Sequence, residues 1–388
     1  MRGTITKRGN DSYSIVFDLG RDPETGKRRQ QWVSVKGTRK DAEKKLAELI
    51  HQLDTGTFLK PGKATLAEYL ERWLKDYCWP ILSPRTAESY QYLVRKHLTP
   101  ALGQTLLTQL KPAHIQHLYA QKSSAGLSNR TVRYLHSTLH KSLKDAMKLG
   151  LINRNPAESV TPPRLIRHEM QIMSESAIQH LLEAAKETPY YELFYMALFT
   201  GLRRSELLAL RWSDIDLLLC QVYVTRTLHQ LHNREIVFRP TKTAKSRRMV
   251  SLSPSTCDLL GDYRVKREQI RLLSGATISE DDLVFCGIDG NPLLPNSLTH
   301  AWIRITRRCG LAGIRLHDAR HTHASLMLKQ GVHPKIVQER LGHSSIQVTL
   351  DTYSHVAPGL QQSAAAQFDA IVLARKDKQL VGAAESTC

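Results

Sequence analysis

Residues 315–326 read RLHDARHTHASL and put three histidines and two arginines on about two turns of chain. His317 and His321 are four apart, the spacing of two zinc-binding histidines on one helix face. His317 and Arg320 are three apart, a face that could be presented to a phosphate. The zinc reading is weakened because Asp318 stands where such a motif has glutamate, one carbon longer, and because Arg320 would set a cation beside the metal. Three more stretches carry residues of the same kind. TGLRRSELLALRWSDID has Arg203 after a glycine turn, with Glu206 three residues later on the same face and able to orient the guanidinium. PTKTAKSRRMVSL puts Lys242 between two expected strands, at a hairpin tip. ERLGHSSIQVTLDTYSHV has His343 after a glycine and Tyr353 ten residues further on. Each has a plain explanation when taken singly. An Arg near a Glu is usually a surface pair worth little, a hairpin lysine is usually solvated, and an isolated histidine is more often structural than catalytic.

Composition narrows the choice. The chain has 388 residues, long enough for two or three cores. Its 55 Lys and Arg against 36 Asp and Glu give a formal charge of +19, spread along the chain and not gathered in a tail. Distributed positive charge points to a polyanionic partner, most commonly nucleic acid. The six cysteines show no paired spacing, so neither a disulfide framework nor a zinc ribbon is expected. No apolar run nears the roughly 18 residues of a membrane span. The N-terminus MRGTITKRGN lacks an apolar stretch after its basic residues, so no secretory signal or membrane partner is expected and a cytoplasmic protein is.

The elements that must position these residues fall into three groups. Residues 1–58 suggest a small α+β domain: strands around Tyr13–Phe17 and QQWVSV, a DPETGKRR turn, and a helix capped by Thr38. Arg21, Lys27, Arg28 and Arg29 sit at that hairpin, where a basic ribbon could enter a DNA groove. After the linker FLKPGKAT, residues 64–160 read as helices opened by Thr65, Ser83 with Pro84, Pro112 and Ser128, with Gly150 closing the last. Arg85, Arg95, Lys96, Arg130, Arg133 and Lys141 recur on them, as in a helical DNA clamp. A Pro- and Arg-rich linker leads to residues 172–357, expected to be mainly helical with a small sheet formed by VYVTRTLHQ, REIVFRP and RRMVSLS. Residues 358–388 are left as a C-terminal tail.

Taken together, the order Arg203, Lys242, His317-x-x-Arg320, Leu-Gly-His343, Tyr353 resembles the tyrosine recombinase, or phage integrase, family across the whole C-terminal half. The N-terminal half looks like the family's longer members, with an arm-type DNA-binding domain (1–58) and a helical core-binding domain (64–160) before the catalytic domain (172–357). The one visible departure is Ala319, where leucine is common. The resemblance implies a site-specific recombinase that cuts and rejoins DNA through a 3′-phosphotyrosyl link, with Tyr353 as nucleophile and Arg203, Lys242, His317, Arg320 and His343 as the other catalytic groups. Because the link conserves the bond energy, neither ATP nor metal nor any other cofactor is expected. The implied partners are double-stranded DNA at core and arm attachment sites and a homo-tetramer on synapsed DNA; accessory directionality and DNA-bending proteins stay open.

Physics fits that assignment. Two arginines match the non-bridging oxygens of a phosphodiester as planar, permanently charged forks. A phenol with an ordinary pKa of about 10 must lose its proton as it attacks. His317 is the better proton acceptor, His343 a phosphate donor, and Lys242 a donor to the departing 5′ oxygen. Three rivals remain at this level: a DNA-binding regulator built on the helix, Gly turn and helix of HPKIVQERLGHSSIQVTLDTY, a type IB topoisomerase and, a distant third, a zinc hydrolase. The first leaves Arg203, Lys242 and His317 without a task; the second has no use for the basic N-terminal hairpin.

Overall fold

The computed structural model describes residues 3–21, 26–54, 63–165, 170–241, 247–273, 275–353, 365–366, 368–370 and 372, with Leu19, Gly20 and Tyr353 described in their backbone alone. It divides into two units, residues 1–167 and 168–388.

The first unit begins with an antiparallel sheet, β1 (Gly3–Gly9), β2 (Ser12–Arg21) and β3 (Arg28–Lys36), followed by α1 (Arg39–Asp54). Period-two alternation sends Ile15 and Phe17 of β2 inward, where they are buried with Ala42 and Leu49 of α1. Thr38 caps α1, exchanging backbone and side-chain hydrogen bonds with Asp41. Arg21 and Arg28 are paired at the far end of the ladder, and Arg28 donates to Asp18 at 2.8 Å.

A separate all-helical core follows, formed by α2 (Leu66–Trp73), α3 (Pro84–Leu93), α4 (Thr99–Leu102), α5 (Pro112–Ser124) and α6 (Asn129–Lys148). Both α2 and α3 run on into a wider turn, at Leu74–Cys78 and Val94–Leu98. Thr65 and Glu68 form a reciprocal capping box at the start of α2, and Ser128 accepts from the Thr131 N–H at the start of α6. Gly150, at φ 66°, closes α6 with the paired hydrogen bonds Gly150 N–H to Met147 and Leu151 N–H to Ala146. Ser83 departs from expectation: it stands before Pro84, but its hydroxyl bonds that of Thr86 and caps no backbone N–H.

The second unit starts with α7 (Glu175–Ala185), α8 (Tyr191–Thr200) and the short α9 (Arg204–Leu207). Strands β4 (Ile215–Asp216), β5 (Gln221–Val224), β6 (Arg226–Gln230), β7 (Ile236–Pro240) and β8 (Arg248–Ser251) come next, then α10 (Pro254–Leu273), α11 (Pro295–Arg308), α12 (Leu316–Lys329), α13 (Pro334–Leu341) and α14 (Ile346–Tyr353). Its core gathers Phe194, Leu207, Trp212, Val222, Val250, Trp302 and Ala319 from both the helices and the strands. A smaller cluster of Ala324, Leu328, Val337 and Leu341 packs α12 against α13.

The strand pairing corrects two expectations. The run VYVTRTLHQ is not one strand, because it breaks at Thr225, whose hydroxyl donates to Asp214 at 3.0 Å. Its halves join different sheets, ordered β4-β5-β8 and β6-β7. Consequently β7 and β8, the strands flanking residues 242–246, pair with β6 and β5 and not with each other among the described residues. The hairpin expected to carry Lys242 is a connection between two sheets, and Lys242 lies outside the described residues.

Candidate active site

Arg203 occupies the N-cap position of α9, immediately after a turn at Gly201 that ends α8. Gly201 has φ 65°, and a Cβ there would fall 2.7 Å from Leu341 Cδ2 and 2.9 Å from His323 Cδ2, so only glycine allows this turn to approach α12 and α13. Glu206 lies one helical turn beyond and is 3% exposed. One carboxylate oxygen accepts the Arg203 backbone N–H at 2.8 Å, and the other accepts Nη1 at 2.7 Å. The expected orientation of Arg203 by Glu206 is therefore present. Nη2 of Arg203 also donates to the Gly342 carbonyl at 3.2 Å.

Arg320, 3% exposed on α12, donates Nη1 to the Gly201 carbonyl at 2.8 Å and Nη2 to the Leu341 carbonyl at 2.6 Å. Two arginines separated by over a hundred residues thus both bond the turn at 341–342, and Arg320 also holds the turn at 201. At the second turn Gly342 has φ 67°, and its N–H and that of His343 return to the Glu339 and Gln338 carbonyls. The Gln338 amide donates to the His343 carbonyl at 2.7 Å, and His343 Nδ1 meets the hydroxyl of buried Thr349 at 2.9 Å. Thr349 belongs to α14, and Tyr353, the last residue of that helix, lies four residues on, one helical turn away.

His317 sits in the first turn of α12, three residues before Arg320, with its ring edge-to-face against His321 at 4.8 Å between centroids. Loss of hydration, then the charges of His321, Arg320 and Arg203 at His317 and those of Arg320 and Arg203 at His343, push their pKa values down to about 4 and about 3. Both imidazoles are consequently neutral at pH 7, the form in which a histidine can accept a proton. Glu206 stays ionised, its pKa about 2: burial works to raise it, but the hydrogen bonds and charges of Arg248 and Arg203 outweigh that.

His323 has both ring nitrogens committed to partners other than His317. Nδ1 of His323 donates to the Leu198 carbonyl at 2.9 Å, and Nε2 accepts from Arg340 Nε at 3.0 Å, so its tautomer is set and its role is local. Asp318 accepts the backbone N–H and the guanidinium of Arg315, and so repeats the Arg203–Glu206 arrangement at the start of α12. Among the described residues, no three His, Cys, Asp or Glu side chains gather as a metal site.

Sequence reasoning missed Arg248. Its side chain is 6% exposed, and Nη1 and Nη2 straddle the Glu206 carboxylate at 3.1 and 2.8 Å. The neighbouring pattern RRMVSL reads as an ordinary strand start, and its partner lies 42 residues earlier, so no local signal marks it.

The basic residues outside this cluster are disposed variously. Arg95 is bidentate to Glu71 at 3.0 and 2.9 Å, Lys141 lies 3.8 Å from Asp145, and Arg85 lies 3.7 Å from Glu88. Arg133 donates to the Pro163 carbonyl, Lys96 stands over the Tyr92 ring, and Arg130, Lys27 and Arg29 are exposed.

Three family descriptions match successive parts of the chain. They are the arm DNA-binding domain over residues 4–53, the phage integrase N-terminal SAM-like domain over 65–123, and the phage integrase family over 171–359. A "Tyrosine recombinase XerC-like" protein of Caldanaerobacter subterraneus is 29% identical over 370 residues, covering 91% of this chain and 94% of its own. The ICEBs1 integrase of Bacillus subtilis is 27% identical over 368 residues, covering 94% and 99%. Among solved structures, a Tn1549 transposon integrase with a circular intermediate DNA superposes with a TM-score of 0.68 at 18% identity, over 80% of this chain and 100% of its own. A lambda integrase tetramer on a Holliday junction gives 0.57 at 18%, over 90% and 94%. Arg203, His317, Arg320, His343 and Tyr353 all lie within the region matched by the catalytic family, and the chain belongs to the phage integrase family of tyrosine recombinases.

Proposed function

We propose that the chain is the integrase of a prophage or other mobile element, inserting and excising it by site-specific recombination through a 3′-phosphotyrosyl intermediate. The observation that carries this reading is that Arg320 bonds both glycine turns and Arg203 the second, beside His343, which is held by Thr349 one helical turn before Tyr353. Two guanidinium forks side by side suit the two non-bridging oxygens of one phosphodiester, where charge accumulates during attack.

The Tyr353 phenol oxygen attacks phosphorus and its proton passes to neutral His317. The bond to the 5′ oxygen breaks, and that oxygen takes a proton from Lys242. Arg203, Arg320 and His343 neutralise the charge building on the remaining oxygens. The 5′-hydroxyl of a partner strand then reverses the sequence, displacing the tyrosine without net loss of a phosphodiester. Residues 1–58 take the arm site through Arg21, Lys27, Arg28 and Arg29, residues 64–160 grip the core site, and residues 172–357 do the chemistry. Four copies act on two synapsed sites in the bacterial cytoplasm, with directionality and DNA-bending proteins as accessory partners. The family membership favours this over a topoisomerase or a non-enzymatic regulator.

The test is a nicked duplex spanning the junction of the element with its host DNA, which traps cleaved product on the protein. The wild-type chain should form a covalent adduct. Tyr353→Phe should bind the duplex with nearly the same affinity, since the basic surface is untouched, and form none. An adduct in Tyr353→Phe would make another residue the nucleophile.

A further inference from the structure

Arg248 is a buried cation beside the site that makes hydrogen bonds from all three guanidinium nitrogens, and the chemistry above gives it no task. Its two terminal nitrogens span both oxygens of Glu206, at 3.1 and 2.8 Å, and Nε donates to the Arg340 carbonyl at 2.7 Å. Glu206 in turn holds Arg203 through its backbone and its guanidinium. Arg340 is two residues before Gly342, and a Cβ at Gly342 would stand 3.0 Å from both Cδ and Nη1 of Arg248, so the arginine lies flush against the turn that presents His343. Arg340 itself donates to the Ser251 and Phe199 carbonyls, joining β8, the end of α8 and α13 around the same side chain.

We infer that Arg248 is a positioning residue for the cleavage reaction: by bridging Glu206 to the Arg340 carbonyl, it fixes Arg203 against the His343 turn in the arrangement that receives the phosphate. The inference rests on the proposed function above. Its chemistry is specific to arginine. A carboxylate with two oxygens already committed to Arg203 needs a bidentate fork to stay in one plane, and a third donor on the same side chain must reach a carbonyl on another element. Lysine, with one compact ammonium, can meet the carboxylate or the carbonyl but not both. Arg248 also opens β8, directly after the connection that carries Lys242, so the fixed end of that connection is tied to the same group.

The experiment measures single-turnover cleavage of the nicked junction duplex by the full chain at saturating protein. It compares wild type, Arg248→Met, Arg203→Ala and the double variant, each on a normal phosphodiester and on a methylphosphonate at the scissile position. A methyl group there replaces one non-bridging oxygen, so the phosphorus centre carries no charge and Arg203 has little to neutralise. Arg248→Met should slow phosphodiester cleavage by about 10- to 100-fold, less than the roughly 10²- to 10³-fold expected for Arg203→Ala, with unchanged affinity for the duplex. The double variant should be no slower than Arg203→Ala, because Arg248 acts through it. On the methylphosphonate both single variants should recover most of the wild-type rate, which a loosened fold would not do. Should Arg248→Met not fold, Arg248→Lys supplies the same comparison. A double variant slowed by the product of the two single effects, or a slow Arg248 variant with no recovery on the neutral substrate, overturns the positioning role and leaves the family chemistry standing. A wild-type chain that forms no adduct overturns the proposed function itself, and the inference with it.

Discussion

The side chains of the site differ sharply in how far each is committed before any substrate arrives. Arg320 is pinned by two carbonyls and Arg203 by a carboxylate and a carbonyl, so both guanidinium planes are fixed in advance, the condition under which such donors stabilise developing charge without reorganising. Lys242 is placed by sequence within the five residues between β7 and β8 that lie outside the description. Its proposed task, protonating the 5′ oxygen, is separable by experiment from charge neutralisation. Lys242→Ala should cleave a normal phosphodiester about 10²- to 10⁴-fold more slowly while still binding DNA. With sulfur in place of the bridging 5′ oxygen, the leaving group is a thiolate that departs without a proton, so this variant should regain most of its rate. Arg203→Ala should not, because the non-bridging oxygens are unchanged. Rescue of both variants, or of neither, would reassign the acid. The four proposed arginine and histidine positions stand out in the sequence because each brings neighbours of recognisable type: a Gly before Arg203, a Gly before His343, the i, i+3 pairing of His317 with Arg320. Arg248 was not legible, since its meaning lies in Glu206 and Arg340, 42 and 92 residues away.

At the level of elements, two left-handed glycines do what no side chain could. They end α8 and α13 abruptly enough for the Gly201 and Leu341–Gly342 carbonyls to face Arg320 and Arg203. Gly342→Ala adds a strained φ of 67°, worth about 1–2 kcal/mol, and brings a Cβ to 3.0 Å from Arg248. It should lower the melting temperature by about 2–4 °C for each kcal/mol lost in a unit of this size. It should also slow cleavage at temperatures where the protein is fully folded, because His343 follows directly. Gly310 supplies the control: its φ is 71°, but a Cβ there meets nothing within 4 Å. Gly310→Ala should cost comparable stability and leave cleavage intact. Equal cleavage by the two variants, measured at saturating protein, would show that the Gly342 turn does not position the chemistry. Helix starts were the most readable elements, because capping is local: Thr65, Ser128 and Ser174 each accept the N–H that their place before an apolar run predicts. The β-region was misread where tertiary pairing decides. Thr225 is a good strand residue by type, yet its bond to Asp214 ends one strand and lets the next join another sheet. For the same reason the lysine connection looked like a hairpin: alternation shows that two segments are extended, not which neighbours they choose.

For the whole molecule, the separate clusters matter more than the total charge. Ile15, Phe17, Ala42 and Leu49 make one small core, the five helices from Leu66 to Lys148 make a second, and the catalytic family region has its own. Each buries its apolar residues among its own elements, so removing the first should leave the others folded. The charge of +19 is spread over the whole sequence and would contribute to binding any DNA, with a strong dependence on salt. It cannot distinguish one site from another. A second, arm-type site bound by residues 1–58 would add that discrimination by tethering. Once the small domain is bound, the catalytic part is confined near the core site at an effective concentration set by the linker, up to the millimolar range for a short flexible one. The expected outcome of deleting residues 1–58 is therefore split. Adduct formation on an isolated core-site duplex should be within a few-fold of the full chain, because the groups proposed to hold and cut the phosphate are all beyond the deletion. Integration of a plasmid carrying the complete attachment region should fall by about 10²-fold or more, the range in which a second tethered contact acts. Adding salt should narrow the gap, since the full chain makes more phosphate contacts and so loses affinity more steeply. A truncated chain that integrates as well as the full one would remove the bivalent role, whereas one that fails on the isolated core site would show that the N-terminal domain takes part in cleavage itself.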